Sequence, residues 1–569
     1  VPAVARCLLL SFNILALASP PFFERWTGGG TRPFLLSTLL VLIVNAAIII
    51  WWDRLAPPAT PAPARADIAA AVAAGLAAAM VIAFAAREWL QQILILPNDA
   101  ARADMLVVIQ LGIRRLLQGG DPYAMYAVPW PITLPYGPVM WAPLVLPALA
   151  HADVRFATLI GFLFVPVACA IVAVAEAARG RRASAAAWLI VACALACSPD
   201  FRHFVSIGHT PAYWPLLALL AWLVAREHWY AAAITAGLLV VARTTLVAVP
   251  PVLLIAIWYR ARPRIGIAAL LLAASFVLPF LPFAIWNWAT LKYGLYGSYQ
   301  DVIKGYVWTY TDWVQHTIGI SGPLLARGWN SWVEIVQIGV MLGVYAICAV
   351  AIRAGRRPLP WMALALLAFS MTSLWPVIYL YFDVCLLLVC AALADTAWVR
   401  GRSVRIAWTR VLAASLAVLA VALWVMVPVN ASIDAGTAAD RGFLYSGFSG
   451  DERDGAITFA WVDGNRAEIL IPRRSRSRAV IEIACRPNRP TRDTVQQVSA
   501  VLNGTVIGTV TLADGWQSVS FAAPERAWQI GVNELTLFLS SAVSPLESGQ
   551  GGDPRRLSLA VDRLTVRTP

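Results

Sequence analysis

The sequence predicts a polytopic α-helical membrane protein of about thirteen spans, residues 1–430, that ends in an all-β sandwich of jelly-roll type, residues 440–569. Three observations predict it. Of the 569 residues, 60% are hydrophobic and only 13% charged, with 25 Trp, which leaves too little polar surface to clothe a water-soluble body of this size. Apolar residues run almost unbroken to about Asn430, and beyond it apolar and polar residues alternate at the two-residue pace of a strand with one wet face. The third observation is where the charge lies. The formal net charge is +13, yet residues 431–569 hold 15 Lys and Arg against 15 Asp and Glu, so the excess, 29 against 16, belongs to the apolar part.

There the basic residues gather in short links: Arg179, Arg181 and Arg182; Arg260, Arg262 and Arg264; Arg353, Arg356 and Arg357; Arg400, Arg402, Arg405 and Arg410. Short basic loops resist translocation, so these links face the cytoplasm. The charge reports topology and excludes a nucleic-acid partner. A span needs about 20 apolar residues, fewer where protein surrounds it. Spans are expected at 4–22, 34–52, 67–86, 155–177, 185–200, 211–226, 229–243, 244–258, 264–286, 331–353, 360–375, 376–394 and 409–429. This path puts the N-terminus in the cytoplasm and the C-terminal domain on the periplasmic or extracytoplasmic side of the cytoplasmic membrane. The stretch 137–149 reads either as a re-entrant helix or as a further crossing. The apolar run after Arg6 has no small-residue cleavage site and reads as an uncleaved first span. Of eight Cys only Cys485 falls in the β-domain, and no Cys/His cluster has metal-ligand spacing.

Two long, polar, aromatic loops, 87–136 and 288–330, fall on the outer face, which makes that face the working one. In the first, Pro97-Asn98-Asp99-Ala100-Ala101-Arg102-Ala103-Asp104 leads into the mostly apolar segment Met105 to Gln118, expected to lie in the interface plane. Gly119-Gly120-Asp121-Pro122-Tyr123 stops it, and Leu134-Pro135-Tyr136-Gly137-Pro138 returns the chain to the apolar body. Further on come Ser206-Ile207-Gly208-His209-Thr210-Pro211 and Ala236-Gly237-Leu238-Leu239-Val240-Val241-Ala242-Arg243-Thr244.

The order and spacing of these segments over residues 80–260 resemble the polyprenol-phosphate-dependent glycosyltransferases of the GT-C class, in particular the branch with mannosyl- and arabinosyltransferases. Where that family commonly has Lys, this chain has Arg243. The resemblance implies a sugar donor linked through phosphate to a long isoprenoid, embedded in membrane lipid, and a glycan or glycolipid acceptor. The chemistry asks for two parts. A carboxylate at the interface accepts the proton of the attacking hydroxyl, and a cation receives the departing phosphate, for which the planar fork of Arg is suited. Asp104 is the candidate base with Asp99 as substitute, and Arg243, His209, Arg102, Asp121, Tyr123 and Tyr136 are candidate substrate-binding residues.

Each has a structural reading beside it. Asp104 is also the acidic residue a helix N-terminus favours, Asp121 a turn residue, Arg243 one half of an ion pair, and His209 a hydrogen-bonded group at a span entrance. Tyr123, Tyr136 and the Trp of the second loop (Trp308, Trp313, Trp329, Trp332) equally suit an interfacial aromatic belt. Asp383 is a partner for a basic group or a site residue. No Asp-x-Asp pair occurs in the outer loops, so metal-independent transfer without a cofactor is expected.

In the β-domain, strands are expected at 456–462, 467–471, 479–484, 497–502, 506–512, 517–521, 534–540 and 557–566, with the clearest hairpin signal at Leu502-Asn503-Gly504-Thr505. The pattern of Leu-Asn-Gly, Gly515-Trp516-Gln517 and Gly531-Val532-Asn533-Glu534-Leu535 resembles carbohydrate-binding-like jelly rolls. Trp461, Trp516 and Trp528 serve either as stacking surfaces for sugar rings or as packing. A transporter or flippase for a lipid-linked glycan, and a glycan polymerase or ligase, are the competing functions. Acidic residues are scarce inside the apolar runs and collect at the outer face, which favours the enzyme.

Overall fold

The computed structural model describes residues 2–17, 31–55, 67–128, 131–198, 201, 207–208, 210–305, 307–309, 319–374, 380–396, 402–489, 495–549 and 551–569. It divides into two compact units: Val1–Ala86, Ala100–Val145 and Ala157–Val418 form one, and Arg87–Asp99, Leu146–Phe156 and Leu419–Pro569 the other.

The first unit is helical. Each expected span overlaps a helix, but among the described residues three helices are long and apolar enough to cross a membrane: Ile68–Leu94, Arg155–Ala178 and Asn330–Arg353. A bent pair, Arg262–Val277 with Leu281–Gly297, makes a fourth if it counts as one span. Shorter apolar helices such as Pro2–Leu15, Trp229–Ala242, Pro358–Met371 and Leu380–Ala394 make up the rest, so the expected thirteen crossings are not reached by this measure. The span expected at 264–286 falls on the bent pair. Its two halves meet at 59°, because Pro279 and Pro282 each lack the N–H that would continue the ladder. The expected interfacial segment is the helix Ala100–Leu117, broken at Ala103 (φ −130°, ψ 44°). The stretch after Tyr136 is the short helix Pro138–Leu149.

Several buried polar groups inside this unit meet one another. Asn13 and Asn45 exchange amide hydrogen bonds of 3.0 Å. Asp395 Oδ2 accepts from Arg6 Nη1 at 3.2 Å and Trp52 Nε1 at 3.0 Å and stands 2.6 Å from Arg357 Nη1 as an ion pair, linking the first helix to residues late in the chain. An unmatched charge among apolar neighbours would cost several kcal/mol, so such groups persist only in pairs.

The second unit contains a β-sandwich. Its strands are β1 (Ser432–Asp434), β2 (Leu444–Ser446), β3 (Phe448–Asp454), β4 (Ile457–Asp463), β5 (Arg466–Arg473), β6 (Ala479–Pro487), β7 (Gln497–Leu502), β8 (Thr505–Thr511), β9 (Gln517–Ala523), β10 (Gly531–Leu539) and β11 (Leu557–Arg567). One sheet runs β3-β4-β11-β6-β9 with β1 beside β11, and the other runs β2-β5-β10-β7-β8. All neighbours are antiparallel, and apart from the β7–β8 hairpin the chain changes sheet at every step from β4 to β11. The eight expected strands are β4 to β11. The three others escaped notice for physical reasons: β1 and β2 are three residues each, and β3 is a charged edge strand, Phe-Ser-Gly-Asp-Glu-Arg-Asp, whose side chains discourage further pairing.

The core alternates as strands require: Ala460 and Val462 of β4, Ile469 and Ile471 of β5, Ile481 and Ile483 of β6 face inward. Asn503 (φ 48°) and Gly504 (φ 79°) turn β7 into β8 with the two left-handed residues that a tight hairpin needs. The unit also holds two flanking segments. Ile530 exchanges backbone bonds with Asp153 (2.8 Å) and His151 (2.9 Å), and buried Arg155 grips Asp153 Oδ2 at 2.6 Å and donates to Leu96 O at 2.8 Å.

Candidate functional site

The helical unit contains a cavity of about 600 Å³. Three of the sequence-predicted residues line it: Asp104, Tyr136 and Arg243. Its apolar wall includes Phe276 and Phe280 at the helix bend and Trp288, Leu291 and Leu295 beyond it.

Asp104 follows the break at Ala103 and is half-buried, with Oδ1 accepting the Met105 backbone N–H at 2.7 Å. A capping carboxylate bonds two or three residues ahead, so this contact with the next residue is not the usual cap. Burial pushes its carboxyl above the ordinary carboxylate range, against the smaller opposing effect of the Met105 bond. Tyr136 reaches the cavity because residue 137 is glycine: a Cβ there would lie 2.2 Å from Val241 O.

Arg243 stands where the helix Trp229–Ala242 ends, with extended backbone (φ −148°, ψ 124°), before the 3-10 turn Thr244–Ala248. Its side chain is buried. Nη1 donates to Tyr213 Oη at 2.8 Å and to Asp383 Oδ2 at 3.2 Å. Asp383 Oδ2 also receives Tyr213 Oη–H at 2.6 Å, and Oδ1 receives Trp214 Nε1–H at 3.1 Å. Of the two readings of Asp383, the structure gives the partner of a basic group. Arg243 is ion-paired and a cavity wall at once.

The other candidates lie elsewhere. Asp99 is in the second unit, where its Oδ2 accepts Tyr445 Oη–H at 2.6 Å. It is not among the residues that line the cavity. Asp121 is a turn residue: Oδ1 accepts Tyr123 N at 2.9 Å and Oδ2 accepts Thr290 Oγ1 at 2.8 Å. Tyr123 is fully buried and donates to Tyr136 O at 3.0 Å, so it buttresses Tyr136 and is itself no part of the wall. His209, the Arg102 side chain and Trp313 lie outside the described residues. Trp308 donates to Leu374 O at 3.0 Å, whereas Trp329 and Trp332 are exposed.

Two features of the site escaped the sequence reading. Thr245 lines the cavity, and its buried Oγ1 has no hydrogen-bond partner among the described residues. The helix bend supplies a wall, and Pro279-x-x-Pro282 inside an apolar run was its visible signal. Among the described residues no group of three or more His, Cys, Asp or Glu is arranged to hold a metal ion.

In the sandwich the three tryptophans divide. Trp528 belongs to the core, beneath Arg473 at 4.4 Å. Trp461 and Trp516 are half-buried beside the buried Phe459, and the Arg486 guanidinium stands 5.1–5.7 Å from all three rings.

No family model matches the chain, and no curated protein matches it. Among solved structures, the sandwich is similar to the CBM36-1 domain of a multidomain xylanase from the hindgut metagenome of Trinervitermes trinervoides. The match has 10% identity and covers 25% of this chain and 98% of that domain, with a TM-score of 0.17. A similarity of that size carries no functional inference.

Proposed function

We propose that the chain is a polytopic membrane glycosyltransferase of about thirteen spans, transferring a sugar from a polyprenyl-phosphate donor to an envelope glycan or lipid acceptor on the outer face of the cytoplasmic membrane. One observation carries the reading: a single cavity joins an apolar wall, suited to an isoprenoid, with a half-buried carboxylate and an arginine. The acceptor oxygen bonds to the anomeric carbon as the bond from that carbon to the phosphate oxygen breaks. The phosphate leaves with the electron pair toward Arg243, and the acceptor proton passes to Asp104. A carboxyl held above its ordinary range suits that role, since a base works best when its pKa approaches the operating pH. The sandwich would stand outside the membrane, with glycan binding at the Trp461 and Trp516 face as its sharper use.

The test is purified protein in lipid with a panel of polyprenyl-phosphate sugars, scored for released polyprenyl phosphate. Turnover of one donor is expected. Movement of intact donor across the bilayer without release would instead support a flippase. For topology, a reporter fused after Pro569 should be exposed outside and one at Gly355 should not; both on one side would overturn the path.

A further inference from the structure

Asp383 and Tyr213 do not line the cavity, yet both hold the basic residue that does. The carboxylate of Asp383 accepts from three donors: Tyr213 Oη–H and Trp214 Nε1–H, consecutive residues where a 3-10 turn runs into a helix, and Arg243 Nη1 at a distant helix break. Here the Tyr213 hydroxyl also bridges, accepting from Arg243 at 2.8 Å and donating to Asp383 at 2.6 Å, so the Nη1 edge of the guanidinium is held at two points. Packing fixes the holders in turn: Phe382, next to Asp383, stacks on Phe201 at 4.3 Å, and Phe201 meets Trp214 edge-on at 5.7 Å. Rigid support of this kind is what a group that must meet a ligand in one orientation needs.

We propose that Asp383 and Tyr213 are positioning residues that set the plane of Arg243 for an anionic phosphate head in the cavity, which rests on the reading of the cavity given above. The probes are farnesyl phosphate and uncharged farnesol, bound at equilibrium to the full chain in lipid nanodiscs. Wild type should bind the phosphate more tightly than the alcohol. Tyr213→Phe keeps the ring and its packing and should weaken only the phosphate. Asp383→Asn should weaken it by about tenfold or more, the scale of a lost charge-assisted hydrogen bond, with farnesol unchanged. In an Arg243→Gln background neither change should have a further effect, because all act through the same group.

Retained phosphate preference in Tyr213→Phe and in folded Asp383→Asn would overturn the positioning role and leave the reading of the cavity standing. Additive losses in the double variants would overturn it too, as would equal weakening of farnesol. Equal binding of both probes by wild type would remove the phosphate reading and the positioning role together. Should Asp383→Asn fail to fold, Tyr213→Phe alone decides.

Discussion

The helical unit and the sandwich both bury apolar residues, but they differ in what they expose and in where their ion pairs lie. In the sandwich the core is apolar, with Arg473 buried beside Trp528, and ion pairs such as Arg563–Asp434 and Arg486–Asp454 lie on the wet surface. In the helical unit large apolar side chains point outward, Ile285 at 78% and Val350 at 71% exposure, while Arg6, Arg243, Asp383 and Asp395 are inside. The difference teaches where to look for function. A surface ion pair in water contributes little and arises freely, whereas a charge among apolar helices is retained only with partners and marks a place the chain maintains.

The largest expected effect tests whether an interior acid serves chemistry. Asp104→Asn keeps the shape and removes the proton acceptor, so turnover should fall by about 10²–10⁴-fold while donor binding holds. Wild-type rates in that variant would remove Asp104 as base. Wild-type transfer should also rise with pH through a limb lying above the ordinary aspartate value of about 3.9, because burial raises this carboxyl. The sign for stability is the reverse. A carboxyl raised in the folded state stabilises below its unfolded value and loses that contribution as pH climbs through the folded one. Asp104→Asn should therefore flatten the dependence of stability on pH and leave the folded protein no weaker near neutrality, which thermal unfolding at stepped pH would check.

Next comes an interior charge that does not line that cavity. Asp395→Ala strands Arg6 and Arg357 and should cost about 3–5 kcal/mol in denaturant unfolding of the purified chain. A cost near zero would break the contrast between the units. In the sandwich, Gly504→Val forces a β-branched residue into left-handed backbone and should cost about 1–2 kcal/mol. The smallest effect belongs to the surface: Arg563→Ala removes an exposed pair with Asp434 and should change stability by about 0–1 kcal/mol. A loss as large as that of Asp395→Ala would put the sandwich's charges on the same footing as the buried ones.

Residues 456–566 were legible almost strand by strand, because alternation and turn chemistry act over two to four neighbours. The Asn503-Gly504 hairpin needs nothing beyond its own backbone preferences. The helical part was legible as apolar runs and as the positions of helices. Its count of crossings was not, since an apolar run records its surroundings and not whether it passes through them. The candidate cavity was half legible. Asp104, Tyr136 and Arg243 stand out as polar groups at the ends of apolar runs, a local signal. That Asp104 lines the cavity while Asp99, five residues away, meets Tyr445 was not legible. The pairing of Arg243 with Asp383 spans 140 residues, and no periodicity reaches that far. Sequence alone determined which segments are apolar, which alternate and where charge is out of place; the tertiary structure decided which misplaced charges meet, because the partner of a buried ion is chosen by packing in three dimensions.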